Sequence, residues 1–136
     1  MDLKFLQELG KPISAEEMRE LKKKEDEINR LNAIKHLLKR IYDEVIKNAK
    51  TSTETRYKKR ILDFTSFRNE KFINDNRNEI IIGLQHMFKD CDIKMRKFSR
   101  ANNVMCDITD LPEEALKCFN EKNHQTWIMI DWSESE

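Results

Sequence analysis

The stretch that decides the fold runs from Ser14 to Lys50: SAEEMRELKKKEDEINRLNAIKHLLKRIYDEVIKNAK. It holds neither Gly nor Pro, and it opens on Ser14-Ala-Glu-Glu17. That is a capping-box pattern, in which the Ser hydroxyl takes the N3 amide and the Glu reaches back to the Ser amide. Pro12 just upstream keeps any earlier helix from running through. Leu21, Ile28, Leu31, Ile34, Leu38, Ile41, Tyr42, Val45 and Ala49 then recur at helical spacing, with Lys, Arg, Glu and Asp on the other faces. Such a helix extends on the order of 50 Å at about 1.5 Å per residue. One small neighbour does not cover that length, so a partner is expected.

With Leu31, Leu38 and Val45 at heptad position a, Ile34 and Ile41 fall at d, and Leu21, Ile28, Tyr42 and Ala49 at e. An a/d/e stripe is wider than a strict coiled-coil seam and suits packing on a domain or in a bundle. Lys24 and Glu27 sit where core residues belong in the first half. That half is expected to project into solvent or to be completed by another chain. Whether the helix is one rod or breaks near Lys24 is open.

Upstream, Leu3, Phe5, Leu6 and Leu9 form the apolar side of a short helix over residues 1–9, with Gly10 as its C-cap. It either folds back on the domain or docks in a partner's groove. Downstream, Thr51 to Thr55 is a polar linker, and Arg56-Tyr-Lys-Lys-Arg60 is the densest basic cluster in the chain. These breaks divide the chain into a helical arm over 1–50, a basic linker over 51–60 and a small α+β module over 61–136.

Within that module, Ile61, Leu62, Phe64 and Phe67 return to the core as a short strand or helical turn. A second helix over 70–88 places Ile73, Ile80, Ile81, Leu84 and Phe88 on one side, interrupted by Arg77. Gly83 inside it costs about 1 kcal/mol relative to Ala, which fits a close helix–strand approach. Cys91 to Arg96 alternates at the period of a strand. Ser99 to Asn103 reads as a loop, and Val104 to Ile108 continues the sheet. Asp110 to Glu114 starts a short helix with Pro112 in its first turn and acids at its positive end; Ala115, Leu116 and Phe119 face inwards. Thr126 to Trp132 is the clearest strand, rich in β-branched and aromatic residues. Ser133 to Glu136 is an acidic tail. The expected fold is α+β: a long N-terminal amphipathic helix, a second helix, and a small antiparallel sheet with the C-terminal strand closing it.

At 136 residues this is one domain, or one with a helical extension. Charged residues make up 38% and hydrophobic residues 38%, so the core is modest and partner contacts are expected to add stability. The net charge of +1 hides an asymmetry. Arg19 to Arg60 carries 14 basic and 7 acidic residues, and Ala101 to Glu136 carries 2 basic and 8 acidic. Opposite ends therefore suit head-to-tail pairing or different partners. Three Cys without CxxC spacing point to reduced thiols. There is no signal-peptide pattern and no apolar run of membrane-spanning length. The expected setting is intracellular and cytoplasmic, or packed inside something assembled there.

Two surfaces are candidates for function. Alternation along the last strand puts Ile128, Ile130 and Trp132 on one face, and Trp127, Met129 and Asp131 on the other. If the even face is core, Trp127 and Met129 are a partner hot spot that joins Leu31, Ile34, Leu38, Ile41 and Val45 as protein-binding residues; otherwise a helix covers them. The other surface is Arg56, Tyr57, Lys58, Lys59 and Arg60, with Lys94, Arg96 and Lys97: phosphate-binding cations with Tyr57 available for stacking. The bland reading of that cluster is a solvated face.

No Gly-rich phosphate loop is present. His86, Cys91, Cys106, Cys118 and His124 match no common zinc spacing, and neither a metal, a cofactor, a catalytic pair nor a small-molecule substrate is expected. The primary expectation is a non-enzymatic structural or assembly protein holding other chains, or forming a homo-oligomer, through the long helix. The alternative is a nucleic-acid-associated protein.

The helix ending in Leu84-Gln-His-Met-Phe88, the segment Lys89-Asp-Cys-Asp-Ile93 and the closing Trp127-Ile-Met-Ile-Asp-Trp-Ser133 resemble small accessory proteins of large double-stranded DNA viruses. In these a Phe-Pro-Asp-like turn leads into a strand and an Ile-Asp-Trp-Ser-like strand closes the chain; here Lys89 replaces the proline. The resemblance covers the C-terminal half and implies a virion-associated or assembly role, with no catalytic residues. The Lys-, Ile- and Asn-rich composition of an AT-rich genome agrees with it.

If the long helix holds other chains, Leu38→Glu dissociates or unfolds the assembly. Unchanged oligomeric state, partner binding and melting temperature would refute that.

Overall fold

The computed structural model describes residues 2–64 and 69–134. Met1, Phe67 and the last two residues of the expected acidic tail lie outside them. The elements in order are α1 (Leu3–Glu8), α2 (Ala15–Thr51), β1 (Arg56–Arg60), a 3-10 turn (Ile61–Phe64), α3 (Glu70–Asp75), α4 (Arg77–Met87), β2 (Asp92–Ala101), β3 (Val104–Asp107), α5 (Glu113–Leu116), a second 3-10 turn (Glu121–Asn123) and β4 (Gln125–Asp131). The architecture is α+β, and α2 is continuous through Lys24.

The chain divides into two compact units, Met1–Ala33 and Ile34–Glu136. The boundary falls inside α2, not at residue 50. In the first unit no described residue is buried. Asp2 caps α1 by accepting from Lys4 N at 3.0 Å, and Gly10 takes φ +93°, a left-handed conformation open to glycine. Leu3, Phe5, Leu6 and Leu9 are all exposed. At the start of α2 the Glu17 amide donates to Ser14 Oγ at 3.0 Å. The Glu17 carboxylate accepts from the Ser14 hydroxyl at 3.1 Å, so the capping box closes on the hydroxyl rather than on the expected Ser14 amide.

The second unit is built on a four-stranded antiparallel sheet in the order β1-β4-β2-β3. Its helix-covered face holds Tyr57, Met95, Ile128 and Ile130. On α2, Ile34, Leu37, Ile41 and Val45 are buried against the same core, which corrects the partner-contact reading of Ile34, Ile41 and Val45. Leu38 is half-buried on that core, and Leu31, in the first unit, is 49% exposed. The buried stripe is a/d/g, not a/d/e: Leu37 at g is 3% exposed, whereas Tyr42 at e is 40% exposed. Apolar residues flank the a/d seam on both sides, so the sequence period does not choose between them; packing does.

Three local expectations change. Residues 56–60 are an edge strand, not a linker: Tyr57 is the buried anchor of a segment whose other side chains are charged. Charge along an edge discourages strand addition by other chains. The single helix over 70–88 is two helices that meet at Asn76 (φ −114°, ψ 16°), whose Nδ2 donates to Phe72 O at 2.8 Å. Asn bonds its own backbone readily, which interrupts helices. Ser99 to Asn103 is not a loop. β2 runs to Ala101, and Asn102 and Asn103 (φ 51° and 63°) make a two-residue hairpin with the positive φ values of a type I′ turn. Pro112 stands at the N-cap of α5, and Ala115, Leu116 and Phe119 are half-buried.

Gly83 marks a close helix–helix contact, not a helix–strand one. A Cβ added there would run into Leu38 Cδ1 on α2. One turn along, Tyr42 and Phe88 rings meet at 5.6 Å. Arg77, which breaks the apolar stripe of α4, donates from Nη2 to Met95 O at 2.8 Å and so joins the helix to the sheet.

Gly83→Ala gains about 1 kcal/mol of helix propensity, but the Leu38 methyl it meets, the movable end of a half-buried side chain, must turn aside; with an overpacking cost at the low end of its range, about 1–2 kcal/mol, the melting temperature is expected to fall only slightly. In a Leu38→Ala background the same change is expected to be milder, with a coupling of about 0.5–3 kcal/mol. Thermal melts of the four proteins measure it; additive effects would show that the contact does not form.

Candidate nucleic-acid interface

Strand register determines which cations share a face. Arg60 and Arg96 flank Trp127 on β4; Lys58 and Lys94 flank Met129; Arg56 and Asp92 flank Asp131. Phe98 lies opposite Gln125 and Asp107, and Arg100 opposite Met105. These side chains occupy the face opposite the buried Tyr57, Met95, Ile128 and Ile130. Same-face residues recur about every 6.6 Å along a strand, so the central strand's Met129 and Trp127 lie between two rows of cations.

The aromatic part of this face is ordered. The Phe98 and Trp127 rings meet edge-to-face, with centroids 6.4 Å apart at 83°. Trp127 Nε1 donates to Gln125 Oε1 at 3.2 Å. Lys58 Nζ sits 5.1 Å from the Phe98 centroid and 5.5 Å from that of Trp127. A cleft of about 270 Å³ opens beside them, lined by Arg56, Lys58, Lys94, Met129, Asp92 and Asp131.

The cations differ in their availability. Arg96 is held by Asp107 at 2.9 Å and Asp110 at 3.3 Å, and the Asp107 hydrogen bond raises its pKa further. Burial works to raise the Asp107 pKa, but hydrogen bonds from Thr109 and Arg96 outweigh it and hold the carboxyl low. Lys94 is 3.7 Å from Asp92. Asp131 is held low by its hydrogen bonds with Ser133, with Arg56 and Lys94 adding to the effect. Arg60 Nε is buried and has no hydrogen-bond partner among the described residues.

Alternation splits the expected basic cluster. Arg56, Lys58 and Arg60 face outwards with Trp127, but Tyr57 and Lys59 face α2. Tyr57 is 7% exposed and donates to Glu44 Oε1 at 2.6 Å, so it is not available for stacking. Lys59 pairs with the same oxygen at 2.6 Å and lies 5.0 Å from the Phe64 centroid. Lys97 shares the inner side with Thr126. The stacking residue missed in the sequence is Phe98, which falls between the alternating segment 91–96 and the loop expected over 99–103, whereas β2 runs through it to Ala101. Trp127 and Met129 do face away from the core, half-buried.

Other chemistry-bearing residues are dispersed. Among the described residues no three His, Cys, Asp or Glu side chains converge as metal ligands. The three cysteines are free; burial, then Asp90 and Asp131, pushes the Cys91 thiol up, away from thiolate. Burial and then Lys97 lower the His124 pKa. No helix among the described residues is long and apolar enough to cross a membrane. No protein-family model, curated protein or solved structure matches the chain.

Glu44 anchors the edge strand through its charge. Burial opposes ionisation, but hydrogen bonds from Lys59 and Tyr57 outweigh it, so the carboxyl titrates below its ordinary 4.5. A depressed folded pKa gives stability that is present above the unfolded value and lost as pH falls through the folded one. Glu44→Gln is therefore expected to be less stable than the parent at neutral pH, with the gap closing on acidification below 4.5. Denaturant melts at both pH values measure this; a constant gap would show that the charge does not hold β1.

Proposed function

We propose that the second unit binds single-stranded nucleic acid on the outer face of its sheet, as a binding protein without catalysis. The observation that carries this reading is the Phe98–Trp127 pair set among cations from both strands that flank β4. Aromatic faces stack bases of any identity, and cations track the backbone. A flat sheet face suits splayed-out bases better than a duplex, whose bases are stacked inside it.

A second reading concerns the first unit. Leu21, Ile28 and Leu31 are exposed on α2, and the apolar side chains of α1 are exposed too. Such residues favour contact with another protein chain, as the assembly expectation has it, within a virion if the resemblance to viral accessory proteins holds.

The first reading is tested by fluorescence anisotropy with labelled oligothymidine and oligouridine across a salt series. Each phosphate neutralised on a single strand contributes about −0.7 to the log–log salt slope. With Arg56, Lys58, Arg60 and Lys94 engaged, the slope is expected near about −3. Trp127→Ala is expected to weaken binding by about 1–3 kcal/mol, and a duplex of equal length to bind less well. No binding, or affinity independent of salt, would remove the reading.

A further inference from the structure

Lys58 is placed differently from the other cations on this face. Its register partner is Met129, yet its ammonium lies over Trp127 on β4 and Phe98 on β2. The side chain thus crosses the central strand. Lys59, its neighbour in sequence, has a carboxylate partner in Glu44, whereas Lys58 makes no ion pair among the described residues. Its ammonium rests in the corner between two rings whose planes cross at 83°. That corner is also the space a base needs to stack on one ring and meet the other with its edge.

We propose that Lys58 is a displaceable cover of the Trp127–Phe98 platform. This rests on the nucleic-acid reading of the same face and states how the ligand enters. In the free protein the ammonium occupies the π-faces. An arriving strand puts a base on Trp127, and the ammonium leaves the rings for a phosphate of that strand. Lys58 then acts in two opposed ways. As a cation it strengthens binding, most at low salt, where releasing a counterion counts for most. As a cover it weakens binding at every salt concentration, because the cation–π contacts break first.

The two effects separate on a salt axis. Lys58→Ala is expected to reduce the magnitude of the salt slope by about 0.7. It is expected to bind oligothymidine less tightly than the parent at low salt and about threefold more tightly at high salt, so the two curves cross. Arg56→Ala is the control. Arg56 is exposed on the same strand and face, two residues away, and makes no ring contact among the described residues. Its curve is expected to converge on the parent's at high salt without crossing it. An independent readout is the Lys58 ε-methylene proton resonance. Ring currents are expected to shift it upfield in the free protein, and saturating oligothymidine to return it towards the value of a solvated lysine.

If the parent binds and Lys58→Ala is weaker at every salt concentration, the cover is wrong and the platform stands. A Lys58 resonance that stays upfield in the complex also overturns the cover. If the parent binds no strand at all, the platform reading and the cover both fail.

Discussion

Strand β4 is hydrogen-bonded along both edges, and the organisation of the second unit follows from that. A strand paired on two sides cannot rotate to suit one neighbour, so its alternation is binding on the whole sheet. Thr126, Ile128 and Ile130 are committed to the helix side, and Trp127 and Met129 to the other. Glu70 of α3 fixes the placement: it accepts from Thr126 N at 3.0 Å and from the Thr126 hydroxyl at 2.7 Å. A slip of one residue would bring Trp127 into the core and turn Ile128 out, and would strip Thr126 of both bonds. The outer aromatic face is therefore a geometric consequence of the core.

The edge strand β1 joins the two sides. Its inward residues, Tyr57 and Lys59, converge on one carboxylate of α2, and its outward residues are all cations. Glu44 thus serves the outer face without touching it, because it sets the plane in which Arg56, Lys58 and Arg60 stand. The same charges that suit a polyanion also keep the free edge from pairing with other strands. Stability and the proposed recognition draw on the same five residues, on opposite faces of the strand.

The long helix, the apolar side of α4 and the last strand were legible in the sequence because each carries its own period. Leu37 was not, because apolar residues lie on both sides of the a/d seam and only the sheet chooses between them. Arg56 to Arg60 was read for its charge, which hid a strand: its single buried side chain, Tyr57, leaves no alternation to detect. The break at Asn76 and the hairpin at Asn102-Asn103 depend on backbone angles that Asn tolerates but does not announce. For the candidate site, the residue types were visible and their grouping was not. Trp127 and Lys58 are far apart in the chain, and Phe98 lies between the alternating segment 91–96 and the expected loop 99–103, where only the full length of β2 places it on this face.

The place of β4 also sets the order in which the sheet can form. The β2–β3 hairpin closes over two residues and belongs to the microsecond class of local events. Pairing of β1 with β4 joins Arg56 to Asp131, from distant parts of the chain, and such contacts bear the loop-closure entropy that slows folding. Until β4 inserts, β1 has no partner on either side and the β4-facing edge of β2 is open. Any state in which β4 has not yet inserted leaves strand edges that are interior in the native sheet free to pair with other molecules. The cations that crowd β1 are then electrostatic protection for the nascent sheet before they serve any ligand, and conditions that screen charge would favour association over completion of the fold.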